Sequence, residues 1–379
     1  LWNFLFRWFS KAAAKDPLWL NVAKFFLYGF LAGNQFFLSL PIAIVSILMG
    51  LNEVMNAGIS GVTYYIYVKD GIRPRFRLLF DTIWLSVVGV ATLIALGGDG
   101  NLQMFFLSLY FIGHGISNIR DGWFFEAEVG KKVIRRRLRC GMPLVLAAMI
   151  PRVTLQKIND ALELGEGETA SDIYDVSKEN AEPNLEMFIH VTKEGFGAMG
   201  HVDICYKGRI ISFGNYDTNS ERLFGTMGDG VLFNADREKY IEFCKREDHK
   251  ILLGYGLALS PEQEKGIERE IAKLMSLTVP WDPPQMVKPR PGIEKEEPMY
   301  AYKLKQEADA KLYKFTSSKF KTYFVMSTNC VLLADTIVGT AGTDILSVRG
   351  FISPGTYQDY LDKEFERPHS LVVTKRVYQ

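Results

Sequence analysis

Apolar and polar positions divide this chain into two halves with different periodicities. Residues 18–119 are strongly apolar and rich in aromatics, whereas from about 152 onward apolar, charged and turn residues alternate. LLFDTIWLSVVGVATLIAL (78–96) is a nearly uncharged run of membrane-spanning length, interrupted only by Asp81 near one end. GGDGN (97–101) reads as a turn, and LQMFFLSLYFIGHGISNI (102–119) as a second apolar run, so the two predict a helical hairpin. Upstream, LWLNVAKFFLYGFLAG, FFLSLPIAIVSILMGL and VMNAGISGVTYYIYV are each short for a full span. The expectation is a multispan α-helical membrane domain over 1–150 with about four spans, those at 78–96 and 102–119 being the most secure. A soluble all-helical domain with a large apolar core is the competing reading of the same pattern. GMPLVLAAMIP (141–151) is too short to cross and follows a basic run, which suits the membrane interface.

The second half reads as an α+β domain over 151–379. RVTLQKINDALELGE (152–166) has helical spacing of Val153, Ile158 and Leu162, and MFIHVT (187–192) reads as a strand containing His190. HVDICY and RIISFGNY flank Lys207-Gly208, a pair that suits a tight hairpin turn. If Tyr206 faces Arg209, His201 falls opposite Gly214, and Ser212 and Tyr216 share its face because strand side chains alternate. A glycine opposite His201 leaves room for a third body. A helix is expected to start near Asp236. Another is expected in SPEQEKGIEREIAKLMSLT, with Ser260 as cap and Pro261 at its first position. Five prolines between 280 and 291, and another at 298, mark a surface excursion at 280–298. TYFVM then predicts a short strand and CVLLADTIV a helix that Gly339 can end, with STN supplying cap candidates.

Charge adds topology. The basic residues Lys69, Arg73, Arg75 and Arg77 precede the hairpin and GKKVIRRRLRC follows it, while the turn between the runs has no Lys or Arg. The positive-inside rule places both basic flanks in the cytoplasm, and with them the soluble domain. A formal charge of +1 over 379 residues argues against a nucleic-acid partner. Four cysteines, Cys140, Cys205, Cys244 and Cys330, match neither a zinc knuckle nor a disulfide framework and read as free thiols. No metal or cofactor is implied. EGFGAMG before His201 lacks the strand–GxGxxG–helix order of a nucleotide site. No signal-peptide cleavage pattern or lipidation motif is evident, and the absence of an initial Met reads as a trimmed or partial sequence.

Two residues carry candidate chemistry. Cys330 falls in the first turn of a predicted helix, where the dipole and free amides favour a thiolate. His201 opens a strand next to a glycine-rich approach. A thiol and an imidazole are the parts of a cysteine nucleophile site, with Thr328, Asn329 and the helix amides as the oxyanion and capping end. A third polar group would fix the ring tautomer. His190, His114, Cys205, Cys244 and Cys140 read as packed residues, and Asp335 as too far along its helix to act.

GHVDICYKGRIIS followed much later by TNCVLLAD resembles the circularly permuted papain-like superfamily, which includes permuted NlpC-type hydrolases and the lecithin:retinol acyltransferase family. There the histidine hairpin precedes the Asn-Cys helix, as here, and GFISPGTYQDYL resembles the Pro-containing segment that follows. The resemblance covers about 187–362 and says nothing about 1–150. It implies a papain-like α+β fold with an antiparallel sheet, with Cys330 as nucleophile and His201 as its base. By the same resemblance the third polar position falls near Ser212, with Asn215 its rival if the register slips; family members often have a second His there or another polar residue, and this chain has no His. What the resemblance implies for function is thiol-mediated hydrolysis or acyl transfer on an amide, ester or thioester. A cytoplasmic domain favours a membrane lipid or lipid-linked or other small-molecule substrate; a domain outside favours a cell-wall peptide. A non-catalytic binding or assembly module on a hydrolase-like fold is the non-enzyme alternative. A small transporter is disfavoured because the spans lack charged or broken-helix pairs.

Overall fold

The computed structural model describes residues 40–95, 100–123, 176–178, 182–191, 201–248, 251–288, 298–341, 354–367 and 370–378. The expected helix 152–166, the interfacial piece 141–151, the first apolar stretch, Cys140 and the side chain of His114 lie outside the described residues. Contacts group the chain into two compact units, residues 1–57 with 83–117, and residues 58–82 with 118–379.

Helix α1 (Leu40–Lys69) is one continuous 30-residue helix. It merges two stretches that look too short to span when taken separately, because Asn52, Glu53 and Asn56 interrupt the apolar run without breaking the helix. Each polar group finds a place. Asn56 Nδ2 donates to the Asn52 carbonyl at 2.8 Å, one turn back. Glu53 is buried 3.5 Å from Thr92 of helix α2 (Phe76–Ile94). Gly89 of α2 allows that approach, since a Cβ there would lie 2.9 Å from the Glu53 Cβ. Glu53 is thus a buried carboxyl within an apolar helix, which division of the sequence into short runs leaves at a boundary. Helix α3 (Gly100–Trp123) contains the second run of the expected hairpin.

Among the described residues, two helices, over Ala43–Lys69 and Phe76–Ile94, are long and apolar enough to cross a membrane; the apolar part of α3, Asn101–Gly113, is shorter. Less than a third of either long window is buried. On α2 the exposed residues include Phe76, Phe80, Ile83, Val87, Val90 and Ile94, an apolar stripe at helical spacing. A soluble helix puts such a stripe inward.

The downstream part is an antiparallel sheet between two helical layers. In chain order its elements are β1 (Val176–Ser177), β2 (Leu185–Val191), β3 (His201–Tyr206), β4 (Arg209–Gly214), β5 (Met227–Asp229), β6 (Val231–Asp236), α4 (Arg237–Asp248), β7 (Ile251–Leu257), α5 (Pro261–Ser276), β8 (Thr278–Pro280), α6 (Tyr300–Glu307), β9 (Lys311–Phe315), β10 (Thr322–Phe324), α7 (Cys330–Val338), α8 (Pro354–Glu366) and β11 (Val372–Tyr378). Nine strands run in the order β1-β11-β7-β2-β3-β4-β6-β9-β8, and β5 pairs with β10 in a separate ribbon. Strands such as RIISF and VLFNA are apolar on both faces because both are covered. One face packs Val202, Ile204, Ile211 and Phe213 against α5, α7 and α8 through Ile267, Leu333, Ile337 and Tyr357. The other packs Phe188, Cys205, Ile210 and Phe233 against α4 and α6 through Tyr240, Phe243 and Leu304.

Local signals behave as their chemistry requires. Ser260 and Gln263 form a reciprocal capping box on α5, with Pro261 at its start. The proline-rich excursion leaves after β8 and closes where Met299 donates to the Gln285 carbonyl at 2.9 Å.

Candidate active site

The β3–β4 hairpin is tight because Lys207 and Gly208 both adopt positive φ, 50° and 71°, as a two-residue primed turn demands. Tyr206 pairs with Arg209 and Ile204 with Ile211. Continuing that register sets Asp203 beside Ser212 and His201 beside Gly214. The space at Gly214 is taken by the Tyr216 ring, 2.8 Å from where a Cβ would stand. The third body expected opposite His201 is therefore a side chain of the same hairpin.

The imidazole of His201 is surrounded at one nitrogen. Its Nε2 lies 3.0 Å from Asp203 Oδ1, 2.9 Å from Ser212 Oγ and 3.0 Å from the Tyr216 hydroxyl. Ser212 and Tyr216 are themselves 2.7 Å apart. Asp203 Oδ2 accepts from His190 Nε2 at 2.6 Å and from the Tyr240 hydroxyl at 2.7 Å. Both His190 and Asp203 are buried, and the carboxylate is fixed at Oδ2 by donors from β2 and α4, while Oδ1 stands beside the His201 ring. These are charge-assisted bonds, the stronger kind.

Cys330 opens α7, as the sequence suggests. Asn329 is the N-cap: its side-chain oxygen accepts from the Leu332 amide at 3.0 Å, and its Nδ2 donates to the Val325 carbonyl at 2.9 Å. Thr328 spends its hydroxyl on the Thr322 carbonyl at 2.8 Å. Neither side chain is therefore free to serve an oxyanion; they build the turn that delivers the cysteine. The amides at the start of the helix, those of Cys330 and Val331, have no intrahelical acceptor and are the donors available beside the sulfur.

The structure brings Cys330 within hydrogen-bonding range of His201. The two residues come from opposite layers. Asp203 and Cys205 share the α4 side of β3 with His201, while α7 packs on the other face. They meet because each stands at the first position of its element. Tyr323 of β10 also hydrogen-bonds to Cys330.

Electrostatics follow from this packing. Burial disfavours the His201 cation, but negative charge on Cys330 and the Asp203 carboxylate outweigh it and push the imidazole up to about 10. Burial likewise works against the Asp203 charge, and the two histidines overcome it, holding the carboxyl well below the usual carboxylate range. Desolvation keeps the Tyr216, Tyr240 and Tyr323 hydroxyls protonated well above their ordinary range.

Of the sequence-predicted residues, Cys330, His201 and Ser212 come together. Asn215 does not: its side chain packs against Gly228 of β5, and its Nδ2 reaches only the Gly225 carbonyl at 3.5 Å. Asp203 is the group the sequence reading passed over. Its signal was present, since position i+2 on a strand shares the face of His201. Tyr323 and Tyr240 have no local signal; they arrive from distant elements. Among the described residues no group of three or more His, Cys, Asp or Glu is arranged to hold a metal ion. Cys330 itself is only 4% exposed. A cavity of about 330 Å³ lies elsewhere, between α5 and the β6–β9 strands, lined by Leu232, Leu274, Tyr313 and Ile337, and it holds none of the residues around His201.

Compared with known proteins, the chain matches no family model, no curated protein and no solved structure.

Proposed function

We propose that this chain is a membrane-anchored cysteine hydrolase or acyltransferase, with the circularly permuted papain-like arrangement that its histidine hairpin and Asn-Cys helix resemble. The observation that carries the reading is the contact of Cys330, at the amide end of α7, with an imidazole whose Nε2 stands 3.0 Å from the buried Asp203 carboxylate. In this reaction His201 takes the thiol proton and the sulfur attacks the carbonyl carbon of an amide, ester or thioester. The resulting oxyanion faces the amides of Cys330 and Val331. On collapse, His201 returns its proton to the leaving group, and the acyl-enzyme passes its acyl group to water or to an acceptor alcohol or amine. Asp203 orients the ring and holds its positive charge.

The exposed apolar stripe on α2 and the apolar length of α1 support the membrane reading, and the basic residues after α1 support a cytoplasmic sheet domain. A lipid-linked acyl substrate suits that side; a cell-wall peptide suits the opposite one. A non-catalytic binding module is favoured by one observation, the near-complete burial of Cys330. The two readings separate on labelling of detergent-solubilised protein with iodoacetamide across pH. Fast modification near neutral pH, lost in Cys330→Ala and slowed at least tenfold in His201→Ala, supports the enzyme. An ordinary thiol profile indifferent to His201 rejects it.

A further inference from the structure

The turn from Arg222 to Met227 carries two large apolar residues where the backbone least welcomes them. Leu223 and Phe224 have φ of 46° and 58°, followed by Gly225 at 82°. Left-handed backbone crowds the Cβ of an L-residue against the following carbonyl oxygen, and glycine or asparagine normally takes such places. Phe224 gains nothing from the fold in return, being 98% exposed, and Leu223 is more than half exposed beside it. Strain held by bulky exposed residues points to a use for their side chains.

The turn is rigid. Arg222 and Met227 exchange backbone hydrogen bonds at 2.8 and 3.2 Å, and Thr226 donates to the Leu223 carbonyl through both its amide, at 3.2 Å, and its hydroxyl, at 2.7 Å. At its base, Arg222 pairs with Asp229 at 3.2 Å, and Lys314 bridges Asp229 and Asp217 at 2.9 and 2.7 Å.

Its place in the fold names the partner. β5, which continues the turn, pairs with β10, and Met227 and Phe324 of this ribbon pack on Ile66 in the last turns of α1. The same end of α1 is tied to the ribbon by Asp70, which accepts from the Thr322 hydroxyl at 2.6 Å. It is tied to the Cys330 approach by Thr63, which donates to Ser327 at 2.9 Å. The connection from α1 to α2 carries Lys69, Arg73, Arg75 and Arg77, the cationic belt expected at lipid headgroups. An aromatic and a leucine beside such a belt suit the headgroup–acyl boundary.

We infer that the Leu223–Phe224 turn inserts into the bilayer that α1 crosses, seating the sheet domain on the membrane surface with the Cys330 approach at the interface. This rests on the membrane reading above, and it assigns the site an amphiphilic acyl substrate drawn from the bilayer. The test is photocrosslinking of the full chain in phosphatidylcholine vesicles containing a fifth phosphatidylglycerol. p-Benzoylphenylalanine replaces Phe224, or Val87 on the exposed stripe of α2, or Lys311 on β9 as an exposed control. Lipid adducts at position 224 at least tenfold above position 311 are expected. Adducts at 87 but only background at 224 overturn the insertion while leaving the membrane reading intact. Background at both 87 and 224 overturns the membrane reading itself and the insertion with it.

Discussion

Asp203→Asn is the substitution that separates a supporting carboxylate from a packing residue. It keeps the volume of the side chain and removes one buried charge 3.0 Å from His201 Nε2. Burial works against the His201 cation, and negative charge on Cys330, followed by that on Asp203, holds the imidazole up to about 10 from 6.5. Removing the carboxylate charge lowers the imidazole, and each unit of that fall withdraws ~1.4 kcal/mol from the cation and shifts the ratio of imidazolium to imidazole about tenfold. The amide also presents an NH₂ group to a neighbourhood of donors, His190 Nε2 and the Tyr240 hydroxyl, so the ring loses its orientation as well. The expected outcome, from loss of both charge and ring orientation, is a fall of about tenfold or more in the iodoacetamide modification rate of Cys330 at pH 8, read by mass spectrometry of the Cys330 peptide. Circular dichroism on the same samples confirms that the variant is folded. A rate within twofold of wild type across pH 6–10, in a folded variant, refutes the reasoning.

Further outcomes follow from the same geometry. Ser212→Ala removes the hydroxyl between His201 and Tyr216 but no charge. Modification of Cys330 falls less than tenfold and stability drops by about 1 kcal/mol in urea unfolding; a loss matching Asp203→Asn makes Ser212 the principal third group instead. Asn329→Ala deletes the α7 cap and costs about 1 kcal/mol in the same assay, with slower Cys330 modification, whereas an unchanged midpoint denies the cap its role. The raised His201 pKa contributes stability that is fully present below 6.5 and is lost as pH rises through about 10, and the depressed Asp203 contributes above about 3.8 and is lost in acid. Thermal unfolding of the wild type is therefore expected to be flat between these limits and to fall toward pH 10, a fall that shrinks in His201→Gln; an equal fall in both proteins assigns it elsewhere. Thr63→Val severs the hydroxyl link from α1 to Ser327 without changing shape, and slower modification of Cys330 measures how far α1 steadies the nucleophile turn; no change means the link is dispensable.

Elements with complete local codes were legible. α5 declares itself through Ser260, Pro261 and Gln263, the β3–β4 turn through Lys207-Gly208, and α7 through Asn329 at one end and Gly339 at the other. The register of one hairpin was readable for the same reason, because a two-residue turn leaves a single pairing. Continuity of α1 was not readable from hydropathy. Asn52, Glu53 and Asn56 lower the local average, and only packing against α2 shows that the helix runs through them.

The sequence by itself determined the parts: an apolar half, a hairpin opened by His201, and a helix opened by Cys330. It could do so because turns, caps and periodicity are governed by neighbours within a few residues. Only the tertiary structure decided that Asp203, rather than Asn215 or Ser212 alone, stands behind the imidazole, with His190 from β2 and Tyr240 from α4 holding it. Only the tertiary structure showed that Thr328 and Asn329 are spent on the backbone, that Tyr323 reaches the thiol, and that the last turns of α1 brace the nucleophile turn. Apart from the short-range bonds of Thr328 and Asn329, each of these contacts joins residues on different elements. A chain's local energetics cannot specify such pairings; they are set by which apolar faces are buried together.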